Sequence, residues 1–310
     1  MDLAGSASRA SARLTAIVLN YHTPDATRVA VQSLLDSDRM PDEVIVVDNS
    51  ASAGGPPICS TGLAQSVRYL PAPWNLGFSG GMNLGIRDAL ERGSQFVLLV
   101  NSDAAVSPAC IGTLEQALVD TPHAGIAGPR IQSSRSPRET ISLGLRYAPA
   151  LGRMRDRAAD SAGAHATDGI ERVDAVSGCV MLVRHEVFAS IGLFDEDYFF
   201  SFEDLDFCLK AARAGYASLL VRSATALHDG SRSIGPQSTR RLYFAARNHL
   251  LLGRRMAPTP GRLAAASRFA AIVALNAAHA ATADGGTLTE RLGAVWAGTR
   301  DYLAGRYGNG

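Results

Sequence analysis

The sequence predicts an α/β fold: a mostly parallel central sheet flanked by helices, followed by a helical C-terminal extension. Two observations carry this. From Leu14 to Gly128 short apolar runs alternate with amphipathic stretches, the order of a parallel sheet whose strands are joined by helical crossovers. From about residue 236 onward the pattern is helical throughout, with turns at Ala257–Gly261 and Asp284–Gly286. Within the alternating part, strands are expected at Thr15–Leu19, Glu43–Val47, Val67–Leu70, Phe96–Val100 and Gly125–Ala127. Helices are expected at Asp25–Leu35, Gly80–Arg92 and Pro108–Val119, the last with Ser107 as N-cap. Residues Gln132–Arg172, rich in Arg, Ser, Ala and Gly, break the pattern and read as one long loop, either a flap near the site or a disordered stretch. A strand at Val173–Val183 follows, then a helix from Glu203, a strand at Ala217–Val221 and a loop containing His228. The organisation expected is a flexible tail at 1–13, a main domain at 14–255 and a helical extension at 256–310. There is no internal repeat.

The chain has 310 residues, 46% of them hydrophobic, which supports a packed core. Its formal net charge of +1 supplies no field to gather nucleic acid, so none is expected as a partner. The four cysteines (Cys59, Cys110, Cys179, Cys208) lie far apart without metal or redox spacing. They favour a reducing cytoplasm, with Cys179 and Cys208 as small core residues. Met1–Arg13 has no apolar stretch of signal-peptide type. No segment reaches the roughly 18 uninterrupted apolar residues of a spanning helix. The nearest, Phe269–Ala283, is read as a docked core helix.

Five segments bear chemistry. Val97–Val100 is an apolar strand that ends on Asn101-Ser102-Asp103. At the carboxyl edge of an open α/β sheet such a carboxylate can hold a hard divalent cation against a diphosphate. The first strand ends on Asn20-Tyr21-His22, and the second on Asp48-Asn49-Ser50. The Asp48 carboxylate fits the imide N–H of uracil or thymine, and fits equally a turn or helix cap. Asn75-Leu76-Gly77-Phe78-Ser79-Gly80-Gly81-Met82-Asn83 reads as a close approach to a ligand, with free helix N–H groups behind it; a plain glycine-rich turn competes. Finally, Glu203, Asp204 and Asp206 open a helix behind Phe199, Phe200 and Phe202. Helix-dipole stabilisation explains three acids there. It does not explain their aromatic wall, which suits a tuned general base. His228 is either a surface histidine or a metal ligand.

In this order the segments Val18-Leu19-Asn20-Tyr21, Val47-Asp48-Asn49-Ser50, Asn75 to Asn83, Asn101-Ser102-Asp103, Ser177-Gly178-Cys179, Gly192-Leu193-Phe194-Asp195-Glu196 and Glu203-Asp204-Leu205-Asp206-Phe207 resemble the family 2 glycosyltransferases. These are inverting enzymes of the GT-A (Rossmann-like) fold, and the likeness is to their bacterial rhamnosyltransferase-like branch. It spans about residues 14–255. It implies that Asp48 reads a pyrimidine base, with Asn20, Tyr21 and Asn49 around it. It implies that Asn75, Gly80 and Asn83 shape the ribose and donor site beside Asn101 and Ser102. Asp103 matches the last acid of the Asp-X-Asp metal motif, and His228 a histidine that completes the metal shell. Asp204 matches the catalytic base, with Glu203 orienting the acceptor or sugar. Arg247, in the pair Arg247-Asn248, would contact a diphosphate or acceptor. The first acid of the metal motif is Asn101 here, which removes one negative charge from the cation site.

The resemblance implies a nucleoside diphosphate sugar donor, dTDP-rhamnose ahead of UDP-linked sugars, and Mg²⁺ or Mn²⁺ as cofactor. It leaves a glycan, a lipid-linked intermediate or a small molecule as acceptor. The location expected is cytoplasmic, with peripheral association at the inner membrane face as a variant, and the oligomeric state is open. The arginines of the 130–157 region are read first as solvated surface, and second as contacts to a phosphate-bearing acceptor. Two rivals stand. A nucleotidyltransferase would carry a glycine-rich basic loop where Asn20-Tyr21-His22-Thr23-Pro24 stands. A nucleotide-sugar-binding module without turnover would have no need of the Glu203-Asp204 pair.

Overall fold

The structure, a computed structural model, describes residues 12–50, 67–149, 152–157, 169–228, 238–257 and 261–309. The tail at 1–11, Cys59 and parts of the 132–172 segment lie outside the described residues.

Five strands build the nucleus: β1 (Leu14–Asn20), β2 (Glu43–Asp48), β3 (Val67–Pro71), β4 (Phe96–Asn101) and the short β5 (Ala104–Val106). β1 lies between β2 and β4 and is parallel to both, with Asn20 opposite Asp48 and Leu19 opposite Asn101. Three polar strand ends therefore sit side by side at one sheet edge. Alternation along these strands makes two cores. Ala16, Val18, Val46 and Leu98 pack against α1 (Pro24–Leu35) and α3 (Cys110–Asp120). Ile17, Leu19, Ile45 and Leu99 pack on the other face against α2 (Gly77–Glu91) and α5 (Glu203–Arg213). Each such Leu, Ile or Val contributes about 1.5–3 kcal/mol relative to exposure.

The sheet continues through β11 (Val180–Arg184), antiparallel to β4, then β6 (Ala124–Ser133), β12 (Ala217–His228) and β10 (Ile170–Val173). β11 follows a turn at Asp174–Cys179, so the single strand expected over Val173–Val183 is two. Asn101 N–H donates to the Cys179 carbonyl at 2.9 Å, which fixes that turn beside the end of β4. Twelve-residue β12 pairs its last residue, His228, with Ala104 of β5. That pairing carries His228 next to Asp103.

Several expectations need correction. The 132–172 segment is not a single loop. β6 extends to Ser133, and β7 (Thr140–Ser142), β8 (Leu145–Ala148), β9 (Arg153–Asp156) and β10 all fall within it. β7 to β10 are three or four residues long, and in β9 arginines alternate with Met154 and Asp156, so apolar periodicity does not reveal them. α3 begins at Cys110 with Ala109 as N-cap, and Ser107 contributes its carbonyl rather than its side chain. α2 begins at Gly77, three residues before the expected start, with Gly77 itself at φ +73°.

The C-terminal helices are α6 (Thr239–Arg255), α7 (Arg262–Thr282) and α8 (Leu288–Leu303), with α4 (His185–Ile191) earlier in the chain. α8 crosses α6 at Gly298, where a Cβ would lie 2.3 Å from the Tyr243 carbonyl oxygen. α7 docks by inserting Ile272 against Gly253 and Gly152. It is not the core helix expected from its composition. Only Ile272 and Ala280 are buried, and its 21 residues are long and apolar enough to cross a membrane by length and composition alone.

Candidate active site

At the carboxyl edge of β4 the fold leaves a cavity of about 1020 Å³. Asn101, Gly178, Cys179, Glu203, Asp204 and His228 line it, with Phe78, Phe200 and Phe202 beside them. Arg241 and His249 of α6 and Asn276 and His279 of α7 close one side, and Met154 and Asp156 of β9 another.

Asp204 enters from the first turn of α5. Ahead of it Phe199, Ser201 and Phe202 all take positive φ (58°, 70° and 76°), a conformation non-glycine residues occupy at a cost of order 1–3 kcal/mol each. Asn248 holds this segment: its amide donates to the carbonyls of Tyr198 (2.7 Å), Phe200 (2.7 Å) and Ser201 (2.9 Å). Arg247, fully buried, donates to the carbonyls of Asp197 (3.1 Å) and Tyr198 (3.2 Å). Phe199 stacks on Phe244, and Phe202 on His249. The segment is thus tied to α6 at every residue from 197 to 202 that turns the chain.

The Asp204 carboxylate accepts from the backbone N–H of Gly178 (2.9 Å) and of Leu205 (2.8 Å). Burial raises its pKa, and those two donors only partly oppose the rise. Glu203 is buried with Oε2 unpartnered, and burial together with the Asp204 charge pushes its carboxyl well above the usual range. Gly178 matters by its size, since a Cβ there would lie 3.0 Å from Asp204 Cβ.

On the opposite side His228 Nε2 stands 3.1 Å from Asp103 Oδ1 without hydrogen-bond alignment, and Asn101 Oδ1 is buried with no partner. Asp103 and Asp204 both act on Cys179: burial, then these two charges, hold its thiol well above the usual range. The metal-side acid and the candidate base therefore flank one buried residue. A carboxylate, an imidazole and an orphaned amide oxygen form a donor set that suits a hard or borderline divalent cation whose other positions come from phosphate. Among the described residues no group of three His, Cys, Asp or Glu gathers to hold such an ion by itself.

Farther along the edge Asp48 Oδ1 accepts from Asn20 Nδ2 (2.8 Å) and Ser50 N–H (3.1 Å), and Oδ2 from the Tyr69 hydroxyl. Burial opposes ionisation, but the bonds from Tyr69, Ser50 and Asn20 outweigh it and hold the pKa below its ordinary value. One acceptor position on Oδ2 is left for a ligand N–H.

A family model described as "Glycosyltransferase like family 2" matches residues 12–250. The chain belongs to this glycosyltransferase family. The enzyme is 28% identical over 250 residues to an N-acetylglucosaminyl-diphospho-decaprenol L-rhamnosyltransferase of Mycobacterium tuberculosis, covering 72% of this chain and 78% of that one. It is 27% identical over 202 residues to the dTDP-rhamnosyl transferase RfbF of Shigella flexneri, covering 58% and 61%. Among solved structures, a mannosyltransferase from Pyrobaculum calidifontis in complex with GDP-Man and Mn²⁺ superposes with a TM-score of 0.57 over 94% of this chain and 87% of that one, at 16% identity. The fold is that of the GT-A glycosyltransferases.

Against this geometry the site residues expected from the sequence sort into three groups. Asn101, Asp204, Glu203 and His228 share the cavity, and Asp103 touches it through His228. Asp48 and Tyr21 lie at the neighbouring strand ends and do not line it. A third group turns inward. Asn20 spends its amide on Asp48 and Ser50 and its carbonyl on Thr23 and Thr27. Asn49 binds Asn75, the Gly77 carbonyl and Leu76 N–H, which pins the turn before α2. Ser102 accepts from Thr23 Oγ1 at 2.8 Å. Asn83 gives both amide hydrogens to the Phe194 carbonyl and Glu196.

Two readings change in consequence. The N–H groups of Leu76, Gly77 and Phe78 are taken by Asn49, Asn75 and the Phe199 carbonyl, so the start of α2 is not a free anion site. The glycines there serve packing: a Cβ at Gly81 would lie 2.5 Å from Leu19, and at Gly80 2.8 Å from Leu76 Cβ. Arg247 likewise faces the backbone of the 197–202 segment rather than a ligand. Two arginines do line the cavity: Arg153 of β9 and Arg241, six residues before Arg247, whose pKa burial lowers. Tyr69, Gly178 and Arg241 have no role in the sequence reading, and Asn248 has only that of a diphosphate or acceptor contact within the Arg247-Asn248 pair. Only Gly178 and Asn248 carried a signal, through the Ser177-Gly178-Cys179 and Arg247-Asn248 motifs.

Proposed function

We propose that this glycosyltransferase is an inverting hexosyltransferase that moves rhamnose from dTDP-rhamnose to an acceptor hydroxyl, with UDP-linked sugars as the competing donors. One observation carries the reading: Asp204, a carboxyl with raised proton affinity, shares a cavity with the Asn101–His228 wall. Asp204 takes the proton of the acceptor hydroxyl as that oxygen attacks the anomeric carbon. The bond from that carbon to the diphosphate oxygen breaks on the opposite face, and the configuration inverts. Glu203 orients the acceptor or the sugar. Asp48 receives the imide N–H of the thymine or uracil ring, with Tyr21 beside it, and Asn20, Asn49 and Tyr69 fix its carboxylate. Arg241 pairs with the donor diphosphate as it gains charge. Asp103 and His228, with Asn101 Oδ1 beside them, would hold Mg²⁺ or Mn²⁺, which supplies Lewis-acid stabilisation of the departing diphosphate.

The kinship with a decaprenol-linked rhamnosyltransferase favours a lipid-linked acceptor, a cytoplasmic site of action and a peripheral position at the membrane. The exposed Leu288, Leu292, Trp296 and Leu303 of α8 are in keeping with that position. We take 14–255 as the catalytic unit and 256–310 as the extension that buttresses it.

A donor panel assayed for released nucleoside diphosphate tests the reading. dTDP-rhamnose is expected to turn over, to stop with EDTA and to resume with Mn²⁺. Arg241→Gln is expected to raise the donor KM about tenfold, the loss of one charge-assisted hydrogen bond. Binding of every donor without release would make the chain a nucleotide-sugar-binding module instead.

A further inference from the structure

A second cavity, of about 530 Å³, lies against the hairpin of β8 and β9. Its lining includes Arg146, Arg153, Arg155, Arg157 and Arg172. We propose that it is an anion site for the phosphate or diphosphate of the acceptor, separate from the place where the donor diphosphate sits. The inference rests on the glycosyltransferase reading and specifies its acceptor.

The hairpin register places Arg146 directly opposite Arg155 and Ala148 opposite Arg153. Arg153 and Arg155 alternate along β9 and so share a face, and Arg157 follows just beyond the strand's end. Like charges directly opposite on a strand pair are destabilising. This chain keeps them, and adds Arg172 from β10 on the other wall. Little acid answers them. Arg157 pairs with Glu171 at 2.7 Å. Asp174, the acid of the lining, accepts the Tyr147 N–H at 2.9 Å. Arg146, Arg153, Arg155 and Arg172 form no ion pair among the described residues. Four unpaired guanidinium groups around one hollow match the charge and the forked geometry of a diphosphate.

The position ties this site to the chemistry. Leu145, Met154 and Asp156, on the opposite face of the same hairpin, line the Asp204 cavity, and Arg153 lines both hollows. An acceptor whose phosphate adjoins its sugar can rest the phosphate beside Arg153 and extend the sugar hydroxyl towards Asp204. The donor diphosphate belongs at the sheet edge by Asp103, His228 and Arg241, so the two anions do not compete.

Inorganic pyrophosphate is the probe, titrated calorimetrically into the 310-residue enzyme with dTDP and Mg²⁺ in excess to fill the nucleotide site. Pyrophosphate is expected to bind. R146Q/R155Q is expected to weaken it about tenfold or more, with dTDP affinity unchanged. R172Q, outside the hairpin, is a second variant expected to act in the same direction. Without anion the melting temperature of R146Q/R155Q is expected to equal or exceed that of the wild type, because a repulsion is removed. Pyrophosphate that binds only when dTDP is absent, or binds both variants as tightly as wild type, would overturn the proposal. So would arginine-dependent binding of phosphatidylglycerol vesicles with no binding of pyrophosphate, which would make this a membrane contact. Should dTDP itself fail to bind, the nucleotide reading falls, and the same comparison of wild type with R146Q/R155Q still decides this one.

Discussion

Glu203 and Asp204 are held in a state that favours the proton. For an acid, a pKa raised by folding means that the folded state binds the proton more tightly than the unfolded chain. Its contribution to stability is then full below the unfolded value, about 4.3 for Glu, and is lost as pH rises through the folded value. Replacing Glu203 by Gln removes an acid whose ionisation burial opposes. The melting temperature of E203Q is therefore expected to exceed that of the wild type at pH 7.5, with the gap closing towards pH 4. Equal melting curves at both pH values would contradict the burial of an unpartnered Glu203 carboxyl. Asp48 has the opposite sign: its lowered pKa stabilises the fold above the unfolded value and is lost as pH falls through the folded one. In the proposed mechanism turnover follows Asp204. A base must be deprotonated to act, so the rate is expected to rise with pH through the raised Asp204 pKa.

At the scale of elements, the left-handed Phe199–Phe202 segment depends on α6. Asn248 donates to three of its carbonyls, one of them shared with Arg247, and each buried acceptor left without a donor costs about 1–3 kcal/mol. Asn248→Ala is expected to lower kcat at least tenfold, through displacement of Glu203 and Asp204, while dTDP affinity measured by calorimetry stays within about twofold. A fall in nucleotide affinity equal to the fall in kcat would show instead that the whole site had collapsed. This dependence explains what the sequence could not convey. The aromatic wall of Phe199, Phe200 and Phe202 is visible in the residues. That its backbone needs a distant amide is visible only once α6 crosses it. Gly81 and Gly85 teach the same lesson in reverse: glycines before a helix look like a ligand cradle, and the contacts with Leu19 and Ile17 show a helix laid close on a strand.

Over the whole molecule, legibility follows how strongly apolar burial drives each segment. The strands buried on both faces, β1, β2 and β4, stand out as apolar runs, and their polar ends mark the edge that carries the site. Motif order added Asp103, Asp204 and His228, which chain folding then brings around Cys179. The arginine-bearing strands β8 and β9 are half exposed and carry no such pattern. α7 misleads in the other direction, because alanine-rich composition resembles a core helix while only Ile272 and Ala280 are buried. Asn20, Asn49 and Asn83 have the residue type of ligand contacts, yet their amides are consumed by the chain itself. Asn101 Oδ1 and Glu203 Oε2 are among the buried polar atoms left without a partner, and the proposed chemistry uses both. The central claim is therefore that Asp204 removes the acceptor proton in a cavity that binds the donor independently of it. The most direct measurement sets donor affinity, by calorimetry with dTDP-rhamnose, beside the rate of dTDP release for Asp204→Asn. The account expects release to fall about 10²- to 10⁴-fold with donor affinity within about twofold of the wild type; undiminished release in the variant would contradict it.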